Sequence, residues 1–345
     1  MFNIQNRRYI GNKYKIMPYI EQLIEEHCEG EIFFDVFAGT GVVTALMSEK
    51  YKTLNINDFL FSNEIIYNAF FSKEFYDKEK ILKIADTYVK ISANTLDDNY
   101  VSTNFGGKFF SIEDAKIIGF IREDLESKLN EGYINKKEYN ILLASLLYSA
   151  DKIANTVGHY DAYRKKALLE KRIQYNLIKP IKLKDEQNIN IFREDANVLA
   201  KNIKADIAFI DPPYNSRQYS RFYHVLENIA QWKKPKLTGT ALKPEPENMS
   251  DYCRVKAPSI FAHLISNLDC KYIVVTYNNT YNPKSNSSKN KISKDEIESI
   301  LKSRGSLKTF EIKHKCFNTG KTDFKDHKEY VYILEVGGEN NVNAK

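Results

Sequence analysis

The stretch from Ile32 to Met47 constrains the fold most. A compact apolar run, Ile32 to Phe37, breaks at Ala38-Gly39-Thr40-Gly41 and passes into the helical pattern Val42 to Met47. A short apolar run closed by glycines reads as a strand buried on both faces, and such strands belong to parallel sheets covered by helices. Upstream, Tyr14 to His27 sets Ile16, Ile20, Leu23, Ile24 and His27 on one helical face. Downstream, Thr53 to Ile56 supplies a second strand ending at Asn57-Asp58. The chain therefore opens as helix, strand, helix, strand.

That alternation stops at Phe61. As far as about Gln187 the pattern is of amphipathic helices, notably Ser111 to Leu129 and Lys137 to Ile153, joined by polar loops. It resumes with the strand Ile189 to Phe192, a short helix from Ala196, the strand Asp206 to Ile210, a helix through Phe222 to Trp232 and the strand Lys271 to Tyr277. Leu307 to His314 and Tyr330 to Glu335 are expected to form an edge hairpin. The expected class is α/β: a Rossmann-like, mostly parallel sheet with a large helical insertion as a second domain. Residues 1–64 and 188–337 make the sheet domain, 65–187 the insertion, and 338–345 a disordered tail. An insertion of roughly 120 residues, where a connection usually takes about two to six, needs a core or a function of its own. Two polar loops, Lys233 to Asn248 and Asn282 to Lys291, are expected to be mobile.

With 43% hydrophobic and 28% charged residues, disordered and fibrous classes are excluded. No apolar run approaches the ~18 residues that span a bilayer, and the opening residues lack a secretory pattern, so no membrane partner and a cytoplasmic location are expected. Cys28, Cys253, Cys270 and Cys316 lie far apart without a C-x-x-C pair, and the histidines are scattered, which speaks against a disulfide framework and against a metal site. The net charge of +6 permits a polyanionic partner without requiring one.

Two clusters carry chemistry. In the first, Gly39 and Gly41 let a ligand approach the backbone where a helix N-terminus offers free N–H groups. Asp58, 17 residues after Gly41, ends the second strand, where doubly wound sheets place a carboxylate for ribose hydroxyls, and Asp195 ends the next strand of the sheet. Either aspartate could instead cap a helix. Threonine at position 44 stands where a dinucleotide fingerprint has its third glycine, so the loop suits a nucleoside without phosphate and disfavours a nicotinamide oxidoreductase.

In the second, the apolar strand Ile207 to Ile210 delivers Asp211-Pro212-Pro213-Tyr214 to its carboxyl end. The prolines fix φ and remove backbone donors, so the Asp211 carboxylate, the Pro212 carbonyl and the Tyr214 ring sit in a stiff turn of acceptors. A carboxylate and a carbonyl can accept both protons of an NH2 group and push its electron density toward an electrophile. Tyr214 can stack on the ring that bears the amine.

These residues, with Arg8-Tyr9-Ile10-Gly11-Asn12-Lys13, Asp35-Val36-Phe37-Ala38-Gly39-Thr40-Gly41, Asn57-Asp58 and Glu194-Asp195-Ala196, make the chain resemble the Dam-like, alpha-group adenine-N6 DNA methyltransferases of the restriction-modification branch. The resemblance implies S-adenosyl-L-methionine as cofactor, with double-stranded DNA and a cognate restriction endonuclease as partners. It implies that Asp211, Pro212, Pro213 and Tyr214 are catalytic. It gives cofactor binding to Tyr9, Lys13, Asp35, Phe37, Ala38, Gly39, Thr40, Gly41, Asp58, Asp195 and Ala196. Asn155 to Tyr163 and Asn215 to Tyr219 are similar to runs in restriction-modification members.

Within Asp161 to Lys184 eight Lys and Arg stand against two acidic residues, an excess equal to the net charge of the whole chain. Arg164, Lys165 and Lys166 there, with Arg217 and Tyr219 after the proline turn, are the candidate DNA contacts. His224 is assigned packing and no chemistry. The rivals are the same chemistry on RNA, which these motifs do not exclude, and a DNA-binding module with a vestigial pocket.

Overall fold

In the computed structural model, residues 1–11, 13–165, 169, 172–280, 289–313 and 328–337 are described. Lys166, positions 282–288 of the second polar loop, His314, Cys316 and the tail 338–345 lie outside them. The chain divides into two compact units. One comprises Lys13–Phe59, Lys184–Gln218 and Met249–Lys345; the other comprises Met1–Asn12, Leu60–Leu183 and Tyr219–Asn248.

The first unit holds seven strands: β1 Ile32–Asp35, β2 Thr53–Asn57, β3 Asn188–Phe192, β4 Ile207–Ile210, β5 Tyr272–Asn278, β6 Gly305–Lys313 and β7 Lys328–Val336. Their order is β3-β2-β1-β4-β5-β7-β6. All pairs are parallel from β3 to β5, and β7 runs antiparallel to both β5 and β6. The apolar runs become strands because helices cover both faces: β4 is buried throughout, as are Phe33 to Asp35 of β1 and Ile273 to Tyr277 of β5. The expected edge hairpin is present as β6 and β7, longer than the apolar pattern indicated.

Helices Met17–His27, Val42–Met47, Ala257–Asn267 and Lys294–Lys302 accompany the sheet. Pro18 and Pro258 stand in the first turn of their helices, where the missing N–H costs nothing. Ser293 and Glu296 close the start of Lys294–Lys302 as a reciprocal capping box. At the other end of the sheet Asp206 accepts from the Glu31 and Ile32 amides at 2.8 and 3.0 Å and pairs with Lys271 at 2.7 Å, tying β1, β4 and β5 at their amino ends. The order turns outward between β1 and β4: from β1 the chain proceeds to β2 and β3, from β4 to β5. Their carboxyl ends therefore flank the crevice in which doubly wound sheets bind ligands.

The second unit is helical, with Phe61–Phe71, Lys78–Val89, Tyr100–Phe105, Ile112–Asn130, Lys136–Ile153, Tyr219–Phe222 and His224–Gln231. Sequence periodicity marks Lys136–Ile153 as amphipathic, yet Lys137 through Asp151 are all buried. Its polar residues are paired within the unit. The Lys137 ammonium caps the Asn68 and Ala69 carbonyls at 2.8 and 2.9 Å, and Asp151 receives the Arg8 amide at 3.0 Å and the Tyr160 hydroxyl at 2.9 Å. Buried Arg122 bonds the Ile229 and Ala230 carbonyls at the end of His224–Gln231, at 2.6 and 3.2 Å. This packing draws Met1–Asn12 and Tyr219–Asn248, both outside the expected insertion 65–187, into the helical unit. The segment Lys233 to Asn248, expected as a mobile loop, is held at Pro235 by Tyr100, at Ala241 by His224, at Pro244 by Arg221 and at Lys243 by Asp161.

Candidate active site

The carboxyl end of β1 leads into Phe37 to Gly41. Gly39 and Gly41 have φ of 53° and 77°, a left-handed conformation that side-chain-bearing residues resist. The turn is held from β2: the Asn57 carbonyl accepts the Ala38 amide at 2.9 Å, and the Asp58 carboxylate accepts the Gly39 amide at 3.0 Å. Asp58 thus joins the glycine turn rather than capping the next helix, whose N-cap position is Leu60. A carboxylate occupies the amide that a phosphate would otherwise claim, so the turn repels phosphate and favours a neutral or cationic ligand. Thr40 and Ala38 are buried, and Phe37 is half-buried, edge-on to Tyr252 at 5.1 Å.

Asp195 does cap a helix, accepting the Asn197 and Val198 amides at 2.9 and 3.2 Å, with Ala196 buried as the first helical residue. Asn57 latches the ends of the strands together, donating to the Val36 and Glu194 carbonyls at 3.2 and 3.1 Å and accepting the Glu194 amide at 3.0 Å. Asp35 is 1% exposed; its Oδ2 accepts the Thr44 hydroxyl at 2.6 Å and its Oδ1 has no hydrogen-bond partner among the described residues. Burial pushes its carboxyl up to about 7; the Thr44 bond opposes the shift, and Asp211 and Asp58 add to it. An orphaned buried carboxylate oxygen beside a glycine turn, with a second carboxylate on that turn, fits a cation-bearing nucleoside such as S-adenosylmethionine.

At the carboxyl end of β4, Asp211 is held through Oδ1. It pairs with the Lys13 ammonium at 3.0 Å, accepts the Thr276 hydroxyl at 2.9 Å and accepts the Tyr214 hydroxyl. Lys13 also meets Glu329, on β7, at 2.9 Å and the Tyr214 oxygen at 2.7 Å. The resemblance gives Lys13 to the cofactor; its ammonium is engaged by the Asp211 and Glu329 carboxylates. Burial raises the Asp211 carboxyl above the usual range while Lys13 pulls it down. Burial works against the Lys13 ammonium, but Asp211 and Glu329 outweigh it and raise its pKa. Burial and the two carboxylates push the Tyr214 hydroxyl far up, so it stays protonated. The Tyr214 carbonyl takes the Lys291 amide at 2.7 Å and the Tyr277 hydroxyl at 3.2 Å, and its ring lies 4.5 Å from that of Tyr277. Pro212 is buried and Pro213 partly so.

Of the remaining candidates, Tyr9, Arg164, Lys165 and Tyr219 belong to the helical unit. Tyr9 stacks on Tyr223 at 4.8 Å with the rings 5° from parallel, and lies 5.3 Å from Tyr219, whose hydroxyl donates to the Ile10 carbonyl at 3.2 Å. Arg164 and Lys165 are exposed in the helical unit. Arg217 belongs to the sheet unit, where its amide donates to the Asn215 side chain at 3.1 Å. His224 is buried between the Arg221 and Ala241 carbonyls, and burial lowers its pKa to about 4, in keeping with a packing role. Sequence reasoning missed Thr276, Glu329 and Tyr252, and quoted Asn57 without giving it a role. Glu329 carried one signal, a carboxylate near the start of a mostly apolar strand.

Among the described residues no group of three or more His, Cys, Asp or Glu could hold a metal ion, and no helix is long and apolar enough to cross a membrane.

A seven-stranded, mostly parallel sheet with β7 alone reversed, inserted between β5 and β6, and acidic groups gathered at the switch point defines the methyltransferase fold. The pattern of the D12 class N6 adenine-specific DNA methyltransferases matches residues 9–300, and the chain belongs to that family. It is 32% identical to the Type II methyltransferase M.FokI of Planomicrobium okeanokoites over 95% of its own length and 52% of that protein's. It is 34% identical to the modification methylase StsI of Streptococcus sanguinis over 86% and 46%. It is 30% identical to the Type II methyltransferase M.CviAII of Paramecium bursaria Chlorella virus 1 over 95% and 98%. The chain thus spans about half the length of the first two and nearly all of the third.

Proposed function

We propose that the protein transfers the methyl group of S-adenosylmethionine to the exocyclic amine of an adenine rotated out of duplex DNA, as the modification arm of a restriction-modification system beside a cognate endonuclease. The observation that carries this reading is the state of Asp211. Its Oδ1 is fixed by three donors, while no described residue donates to Oδ2, which leaves a rigid acceptor at the mouth of the switch-point crevice. When bound, the cofactor supplies an electrophilic methyl on a sulfonium. Asp58 would hold its ribose, Asp195 and Ala196 would border its adenine, and Asp35, with Phe37 to Gly41, would line the charged end.

Asp211 Oδ2 and the Pro212 carbonyl accept the two amine protons and turn the nitrogen lone pair outward. The amine would form its bond to carbon as the carbon–sulfur bond breaks, the electron pair leaving with sulfur, and one amine proton would then pass by way of Asp211 Oδ2 to solvent. Alignment and a preorganised acceptor supply the acceleration; Asp211 acts in the transition state rather than as a strong base. Rotating the base out costs a few kcal/mol. The helical unit is the candidate for reading the target sequence, with Arg164, Lys165 and Lys166 on phosphates; Tyr219 from that unit and Arg217 from the sheet unit would meet the extruded nucleotide. Tyr9 would contribute from the opening segment. Tritiated methyl transfer to duplex DNA and to ribosomal RNA, followed by mapping of the modified base, tests the reading. Label in adenine of DNA within a fixed sequence supports it, and label in RNA alone or in neither polymer rejects it.

A further inference from the structure

One member of the site comes from the far side of the sheet, from β7. β7 runs against the parallel strands, so its first residues, not its last, arrive at the carboxyl edge of the sheet, and Glu329 stands there opposite Asn278 of β5. Its side chain is 4% exposed. It touches two of the three groups that hold Asp211: the Lys13 ammonium at 2.9 Å and the Tyr214 hydroxyl oxygen at 2.9 Å. The Lys13 side chain is 6% exposed and lies 3.0 Å from Asp211. One cation is therefore divided between two carboxylates, with a neutral phenol lying between them.

We propose, on the strength of the methyl-transfer reading above, that Glu329 is a positioning residue that holds Lys13 and Tyr214 in place and splits the lysine's charge, so that the Asp211 carboxylate keeps more of its own negative charge for the reacting amine. With Lys13 paired to Asp211 alone, that carboxylate would be a weaker acceptor. With Glu329 present, the lysine is divided between two carboxylates, and the charge left on Asp211 faces a nitrogen that becomes cationic as the new bond to carbon forms. Fixed charge aimed at developing charge in a site shielded from water is where an enzyme gains most. Glu329 acts through Lys13 and Tyr214 and need not touch either substrate.

Among the described residues, the charged and titratable groups acting on Asp211 include Lys13 from the opening segment, Tyr214 from its own loop, Glu329 from β7 and Asp35 from β1. Glu329 raises the Asp211 carboxyl and Lys13 lowers it, so removing the Glu329 charge shifts the Asp211 titration to lower pH.

The test is Glu329→Gln, which keeps the shape and an acceptor oxygen and leaves Lys13 paired, so that no buried charge is orphaned. Two readouts are taken. In protein labelled with ¹³C at the aspartate carboxyl, with the Asp211 signal assigned by Asp211→Asn, the midpoint moves to lower pH in Glu329→Gln and stays near the parent's in Glu329→Asp. In single-turnover transfer to duplex DNA, the rate falls roughly tenfold with substrate KM little changed, and Glu329→Asp recovers part of it. An unmoved Asp211 midpoint overturns the proposal whether or not the parent transfers methyl groups. So does a rate within twofold of the parent, or a Glu329→Asp variant no better than Glu329→Gln. Absence of transfer by the parent itself would sink the functional reading alone and leave the titration to decide this one.

Discussion

The shared lysine makes a sharp prediction about stability. Replacing Lys13 by Met removes the cation from between two carboxylates whose side chains are 18% and 4% exposed. Breaking a buried pair by deleting one partner costs about 3 to 5 kcal/mol, because the partner's charge is left without compensation. Here two acids share the loss, and one escapes by taking up a proton. Burial already holds the Asp211 carboxyl above the usual range, and Lys13 is the main influence pulling it down, so in Lys13→Met it rises further. A carboxyl whose folded pKa lies above its unfolded value favours the folded state below the unfolded pKa, and that advantage is lost as pH rises through the folded one. The penalty in Lys13→Met is therefore smaller near pH 4 than at pH 8. Urea unfolding of parent and variant, followed by far-ultraviolet circular dichroism across that range, measures it. A loss of stability equal at pH 4 and pH 8, or below about 1 kcal/mol at pH 8, would refute the shared-cation argument.

Asp35, with its carboxyl at about 7, makes cofactor affinity depend on pH. Its ionised form prevails above that value and attracts a cation, so S-adenosylmethionine binding by calorimetry strengthens from pH 6 to pH 8, and Asp35→Asn removes the trend. Asn135→Ala deletes the cap that holds the Glu138 amide at 2.9 Å and lowers the stability of the helical unit by about 1 kcal/mol, read from its urea midpoint with Trp232 fluorescence. Replacing Arg164 and Lys165 together by Gln weakens DNA binding about equally across sequences and reduces the slope of log affinity against log salt by roughly 2; an unchanged slope removes both from the phosphate contacts.

How far these features can be read from sequence follows from how local they are. Strands β1, β4 and β5 are legible because burial on both faces turns them into uninterrupted apolar runs such as Ile207 to Ile210. The glycine and proline turns are legible because each needs residue types that little else demands, as the left-handed Gly39 and Gly41 confirm. Lys13, Asp211 and Glu329 lie far apart along the chain, and their meeting depends on the antiparallel placement of β7 between β5 and β6, which no local pattern encodes. The helix Lys136–Ile153 was misread in character for the same reason. Its polar residues look solvent-facing until Arg8, Tyr160 and the carbonyls of Asn68 and Ala69 arrive to pair with them. Asp195 shows the reverse case: a residue type common at helix starts caps one here.

The account stands on Asp211 as an acceptor needed in the transition state and dispensable for cofactor binding. Its most direct test is Asp211→Asn, measured for S-adenosylmethionine affinity and for single-turnover methylation of duplex DNA. The prediction is affinity within a few-fold of the parent and a transfer rate lower by a factor on the order of a thousand. Transfer at a rate near the parent's would contradict it, as would a loss of activity explained wholly by lost cofactor binding.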